Sequence, residues 1–393
     1  MTTITNKFKQ RGAVSLFVVV FAALLLTIIT VSFVRIMIQD QQQASTTDLS
    51  QSAYDSAQAG VEDAKRALLR FQSICNSGGD CSPSSIEYKA ISSSTCNESI
   101  EKLLDVSASG DEVKVETGGT NALDQAYTCV KIIMQTDNFE GVLEKNTSNF
   151  IPLIGVSDFD TIKIDWFSTK DLQVSTTTAN IPNFSATSAP LLDQASWAIL
   201  PGPNRPSIMR AQLIQFNNTG FSLGDFDGGA SVNGSNNTLF LYPTNIVSTV
   251  KSFASDTRKT AKAANVPTQI NCNNLSGAQD YACSATITLP KPVTGIDHTQ
   301  YLNLTSLYTK ANYQVTLWKG SGPVAKLVQF DGVQPEVDST GRTSDLFRRV
   351  KARVQLTDVN FPYPDATVDV TGNLCKDFTV TDDTADYKNR CTP

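Results

Sequence analysis

The chain has 393 residues, 40% of them hydrophobic and 18% charged, with 22 Gly, 16 Pro, 8 Cys and a formal net charge of −6. This balance excludes a disordered, collagen-like or small disulfide-knot protein, and the length allows two or three domains around a core of ordinary size. The strongly apolar sequence is concentrated in one run near the N-terminus, and the remainder is rich in Ser, Thr, Asn and Asp.

Residues 1–12, MTTITNKFKQRG, carry Lys7, Lys9 and Arg11 and no carboxylate. From Ala13 to Val34 no charged side chain occurs, and the next is Arg35. At 1.5 Å per residue this run gives a helix of roughly 33 Å, enough to cross the hydrocarbon layer, so 13–34 is predicted to span a membrane once. The basic flank is expected in the cytoplasm and everything beyond Arg35 outside. A signal peptide would have a shorter apolar core closed by a small-residue cleavage site.

Beyond Arg35 the sequence is free of proline as far as Phe71. Leu49, Ala53, Ala57, Val61, Ala64, Leu68 and Phe71 recur at steps of three and four, a narrow stripe suited to packing one helix face. One helix over 13–71 is expected, ending at SICNSGGDCSPSS.

Residues 72–393 read as a β-rich exported domain. Runs rich in branched and aromatic residues include VKVET, YTCVKIIMQT, TIKIDWFS, SIMRAQLIQF, TLFLYPT, CSATITLP, YQVTLWKG and FRRVKARVQL. In TIKIDWFS the two-residue period places Ile162, Ile164 and Trp166 on one face. Long polar connections separate the runs, and PGPNRP, residues 201–206, is a possible internal boundary. No repeat of fixed period is present. The fold class expected is α+β: a long N-terminal helix followed by a β-rich, disulfide-stapled ectodomain with long loops.

Cysteines stand at 75, 81, 96, 129, 272, 283, 375 and 391, all on the predicted outside, where an even count suggests disulfides. Pairing by proximity joins Cys75 to Cys81, Cys96 to Cys129, Cys272 to Cys283 and Cys375 to Cys391; other connectivities stay open. No pair has CxxC spacing and His298 is the only histidine, so no metal centre is expected. GxSxG, HExxH, Walker A and GxGxxG segments are absent, and nothing points to an enzyme or to a cofactor. DFDGG, Asp225–Gly229, and the later Asp382, Asp383 and Asp386 lack the remaining ligands of a calcium loop and read as polar turns.

FRRVKARVQL places Arg349, Lys351 and Arg353 on one strand face. That face is either solvated or a contact for an anionic partner such as DNA or a surface polymer. Three of the 32 basic residues lie in 1–12, leaving 29 against 38 acidic residues, which disfavours nonspecific binding of nucleic acid by the whole ectodomain.

Taken together, QRGAVSLF, the apolar run and SAYDSAQAGVEDAKRALL, with Ala59, Gly60, Val61, Glu62 and Ala64, resemble minor pilins of the PilX type over about the first 70 residues. The resemblance implies that a prepilin peptidase cuts after Gly12, that the mature chain starts at Ala13, and that the helix passes from membrane lipid into a pilus core. It implies as partners other pilins and minor pilins, the prepilin peptidase and an inner-membrane assembly platform. The protein would sit in the cytoplasmic membrane, N-terminus in and C-terminus out, before reaching an extracellular pilus or the cell surface. Major pilins usually carry a glutamate five residues into the mature chain, where this sequence has Phe17. In the family that carboxylate neutralises the amine of the subunit ahead, so Phe17 implies a tip or initiating position. The Cys375–Cys391 bracket resembles the disulfide-closed loop near the end of many major pilins. A pseudopilin of a type II-like secretion system and a single-pass surface adhesin that does not polymerise are the alternatives.

Overall fold

A computed structural model of the protein describes residues 12–106, 112–115, 124–172, 204–215, 238–245, 250–253, 268–273, 280–294 and 300–356, together with Ala179, Ile181, Trp197 and Leu275. With no proline to break it, the N-terminal segment forms a single helix, α1 (Gly12–Asn76). Gly78, at φ +86°, turns the chain out of the helix while the Gly79 amide donates to Ile74 O at 2.9 Å. The helix runs five residues past the end read from its apolar stripe, and that extra turn brings Cys75 to Cys81, to which it is bonded.

Two short helices, α2 (Ile86–Ile91) and α3 (Glu98–Leu104), follow, and then β1 (Val113–Lys114) and β2 (Gln125–Thr136). Eleven strands come next: β3 (Phe139–Leu143), β4 (Ser148–Pro152), β5 (Phe159–Ser168), β6 (Ile208–Gln215), β7 (Thr238–Thr244), β8 (Lys251–Ser252), β9 (Thr268–Asn271), β10 (Tyr281–Val293), β11 (Gln300–Leu307), β12 (Ala311–Lys319) and β13 (Lys326–Val328). Last among the described strands are β14 (Phe330–Thr343) and β15 (Leu346–Arg353).

The strands form three sheets. β1-β2-β14-β15 is an antiparallel sheet that carries α1 on one face. β13-β12-β5-β10-β8, with β3 added to β12, makes the second, and β4-β11-β6-β7-β9 the third. The last two sheets arise entirely from residues 137–329, between the two central strands of the first. Thr136 pairs with Phe330 across the junction, and Gln329 Nε2 reaches Asp137 Oδ1 at 2.9 Å.

Two main cores result. Beneath α1, Val61, Ala64, Leu68 and Phe71 pack with Tyr127, Val130, Ile132 and Val337. Within 137–329 the second and third sheets share one core, to which alternation delivers Ile162, Ile164 and Trp166 from β5 and Leu213, Leu241, Leu302 and Leu304 from the facing sheet. Cys272–Cys283 joins the strand end after β9 to β10 and so ties these two sheets together. Cys96–Cys129 ties the α2–α3 region to β2. Cys375 and Cys391 lie outside the described residues, as do His298, Asp225–Gly229, Asp382, Asp383, Asp386 and Pro201–Pro203.

β14 contains Gly332 and Pro335, residues that disfavour strands. Both fall where its register against β2 shifts, between Asp331 and Glu336. Gly332 takes φ +68° there, and Pro335 contributes a carbonyl to Val354 N (2.9 Å) at a position where the ladder asks for no donor.

Candidate functional site: the bare helix and its platform

The α1 helix has two halves with opposite environments. From Leu16 to Ile38 its large apolar side chains are exposed on every side, Phe17 to 78% and Phe33 to 70%. Its most apolar window has a mean hydropathy of 2.8 and none of it is buried. Exposure of this kind to water costs about 25 cal/mol per Å², which marks a surface made for lipid or for other apolar helices. The hydroxyls inside it are already satisfied: Thr27 Oγ1 donates to Leu24 O, Thr30 Oγ1 to Leu26 O and Ser32 Oγ to Ile28 O, at 2.7–2.8 Å. A helix in an apolar medium requires this, since no water is present to take those hydrogen bonds. Gly12 and Ala13 form its first turn.

Between Gln39 and Thr47 the helix is polar and exposed, and Thr46 and Thr47 bond back to Gln43 O. Contact with the sheet begins at Ser50, whose Oγ accepts from Arg348 Nε at 2.8 Å. Ser52 Oγ then accepts from Gln125 Nε2 and, at 3.1 Å, from Thr343 Oγ1. From Ala53 onward the expected stripe is buried, Ala53, Ala57, Ala64 and Leu68 completely.

Two glycines set how closely helix and sheet approach. A Cβ on Gly341 of β14 would collide with the backbone of Ala53 and Ala57, and one on Gly60 of α1 would meet Ser339 Oγ and, at 2.8 Å, Val130 Cγ2. Further along, Tyr127 O–H donates to Asp63 Oδ2 at 2.9 Å, and Arg66 pairs with the other oxygen of Asp63 at 3.0 Å. Burial, reinforced by the Asp63 charge, raises the Tyr127 pKa far above that of an ordinary phenol.

The α2–α3 region is fastened to β2 by Asn97. This residue adopts the left-handed conformation, φ +63°, at the start of α3. Its amide donates to Val130 O (3.0 Å), its Nδ2 to Thr128 O (3.3 Å), and its Oδ1 accepts from Val130 N (2.9 Å). One side chain thus stands in for a neighbouring strand.

The row of cations on β15 meets a row of acids on β14. Register places Arg353 opposite Glu336 and Lys351 opposite Asp338. Arg349 makes a two-armed contact with Asp338, Lys351 Nζ lies 2.7 Å from Glu336 Oε1, and Arg353 Nε lies 3.4 Å from Glu336 Oε2. The Arg349 hydrogen bond is the main reason the Asp338 pKa lies below the usual carboxylate value; burial opposes it, and the Arg349, Lys351 and Lys131 charges assist. Arg349, Lys351 and Arg353 therefore present ion pairs rather than a free cationic strip. At the far end of β14, Arg342 grips Glu112 through Nε (2.9 Å) and Nη2 (2.7 Å) and Asp124 through Nη1 (2.8 Å).

Asn97, Gly341 and the acids opposite β15 were not singled out by sequence reasoning. Their partners lie tens to hundreds of residues away, and only Gly341, a glycine inside a strand, carries a local signal. Among the described residues no group of three or more His, Cys, Asp or Glu is placed to hold a metal ion. No protein-family model, curated protein or solved structure matches the chain. The arrangement is that of an α+β protein with one helix long and apolar enough to span a membrane and a β-rich, disulfide-bearing domain, compatible with a pilin-like fold.

Proposed function

We propose that the protein is a minor, PilX-type subunit of a type IV pilus, held by its apolar helix and presenting the β-rich domain outside. The observation that carries this reading is the division of α1: one half is bare and internally satisfied, and the same helix, without a break, becomes the packed face of a sheet domain. A membrane anchor alone needs no rigid continuation; a subunit whose domain is set in register by its helix does. Residues 1–12 act as the leader, with cleavage between Gly12 and Ala13.

Phe17 supports a tip or initiating position. An amine held in an apolar environment without a counter-charge costs several kcal/mol, so a carboxylate at this point selects the subunit ahead. A subunit with Phe17 offers no such carboxylate forward, yet its own Ala13 amine can accept one from behind.

N-terminal sequencing of the mature protein, combined with fractionation of sheared surface filaments, tests the proposal. It expects Ala13 as first residue and recovery in the filament fraction at low copy number. Ala13 with no filament association points to a secretion pseudopilin, and retention of Met1 to a non-polymerising surface protein; either result rejects the pilus reading.

A further inference from the structure

Most of the strands that end a sheet are short: β1 and β8 have two residues, β13 three, β9 four, and β3 and β4 five. Short edges protect a sheet against unwanted pairing. β15, at the end of the first sheet, is the exception with eight. It pairs with β14 on one side, and among the described residues no strand lies on the other.

The register fixes which backbone groups β15 leaves open. Val354 N donates to Pro335 O at 2.9 Å, and the two-residue turn Ser344–Asp345 closes the hairpin at Thr343 and Leu346. Hydrogen-bonded pairs alternate along an antiparallel ladder, so Leu346, Arg348, Val350 and Ala352 bond to β14, and the N–H and C=O groups of Phe347, Arg349, Lys351 and Arg353 point outward. The same alternation divides the side chains. Arg348, bonded to Ser50, lies with Val350 and Ala352 on the α1 face, and the other four lie on the opposite face. There Phe347 is 53% exposed, and the side chains of Arg349 and Lys351 are 63% and 54% exposed. The ion pairs of this row reach inward, where Glu336 and Asp338 of β14 face Arg349, Lys351 and Arg353, and Lys131 of β2 stands opposite Asp338. No carboxylate occurs in Leu346–Arg353, so the outermost strand keeps a cationic excess.

We infer that the open edge of β15 takes up an extended, acidic peptide of a partner protein as a further antiparallel strand of the sheet. In such a pair each outward backbone group bonds to the residue directly opposite, whose side chain stands on the same face with Cα atoms about 5.5 Å apart. A carboxylate at every second position of the incoming strand therefore meets Arg349, Lys351 and Arg353. The residues between them fall on the α1 face beside Val350 and Ala352, which suits β-branched side chains. Backbone hydrogen bonds supply the affinity, and the alternate charges set the register and the choice of partner. The same charges turn away a second copy of β15, which would bring the Arg349, Lys351 and Arg353 row against its own kind. The inference concerns the first sheet alone and does not rest on the filament reading.

The test titrates the full chain in detergent micelles with a fluorescein-labelled, end-blocked peptide of four Val-Glu repeats. Peptides of four Val-Lys repeats and of four Val-Glu repeats N-methylated at each glutamate are the comparisons. Fluorescence anisotropy reads binding, and hydrogen exchange reads its place. The Val-Glu peptide should bind saturably and slow exchange at the Phe347, Arg349, Lys351 and Arg353 amides about tenfold or more, and the other two peptides should do neither. Lys351→Gln removes one charge and should weaken binding about threefold. Lys351→Pro also removes one outward N–H, at an edge position where proline is tolerated, and should weaken it about tenfold or more. If Lys351→Pro fails to fold, the N-methylated peptide supplies the backbone comparison on the wild type. The inference is overturned if the Val-Glu peptide does not bind, if either comparison peptide binds as well, or if the protected amides lie elsewhere. It is overturned too if those four amides are already protected in the free chain and lose protection on dilution, which would give the edge to a second copy.

Discussion

Gly341 on β14 lies against the backbone of Ala57 on α1, with no side chain between strand and helix. The reciprocal contact is made by Gly60, which faces Ser339 Oγ and Val130. Helix and sheet therefore touch backbone to backbone at one point and backbone to side chain one turn on. The fit allows the small-residue stripe of α1 to settle onto the sheet without a gap.

Gly341→Ala should destabilise the domain by about 1–3 kcal/mol, because the clash is with backbone that cannot swing aside. Gly60→Ala gains about 1 kcal/mol of helix propensity, yet it meets Ser339 and Val130 and should be destabilising on balance. Ser339→Ala in the Gly60→Ala background should recover part of the loss. Urea unfolding of the full chain in detergent reads all three.

Asn97→Ala leaves the buried Val130 N–H unsatisfied and should cost about 1–3 kcal/mol. Hydrogen exchange at the Val130 amide provides the readout, and it should quicken in the alanine variant.

Acid sensitivity should trace to Asp338. Arg349 holds its folded-state pKa below the unfolded value of about 3.9. The stabilisation is therefore fully present above the unfolded pKa and disappears as pH falls through the folded one. Arg349→Met removes the principal cause of the depression. Its stability should be lower than wild type at pH 6 and converge with it in strong acid, as measured by denaturant midpoints across pH 2–6.

The apolar half of α1 should tolerate bulk but not charge. Leu25→Arg places a cation near the middle of the run and adds about 2.5–3.5 kcal/mol to the cost of membrane insertion. Loss of the protein from the membrane fraction is the expected result. On the pilus reading proposed above, Phe17→Glu should leave membrane recovery intact and shift the protein from filament ends into the shaft, which gold labelling of filaments can locate.

Local patterns made much of this molecule legible. Spacing revealed the stripe from Leu49 to Phe71, which is buried from Ala53 onward, and Ile162, Ile164 and Trp166, placed on one face by strand alternation, are all fully buried. Cys75, Cys96 and Cys272 are bonded to the cysteines next in sequence. β14 is different. Gly332, Pro335 and Gly341 interrupt its apolar pattern, and its role as a central strand depends on β2, some two hundred residues earlier. The meaning of the β15 cations was hidden for the same reason, since Glu336 and Asp338 become their partners only once β14 is in place. Arg205 lies within the proline-rich segment 201–206 that reads as a possible internal boundary, and Trp197, Tyr242 and Tyr308 come together beside it only in the folded chain.

Thr136 and Phe330 stand side by side in adjacent antiparallel strands. Seen from the sheet under α1, all of residues 137–329, about half the chain, is the connection of a single β-hairpin. A connection whose ends already meet can change in length and content without moving the strands it joins, since loop closure grows costlier only slowly with length. What the protein shows to its surroundings and how its helix is seated are therefore separable properties, free to vary independently from one seam.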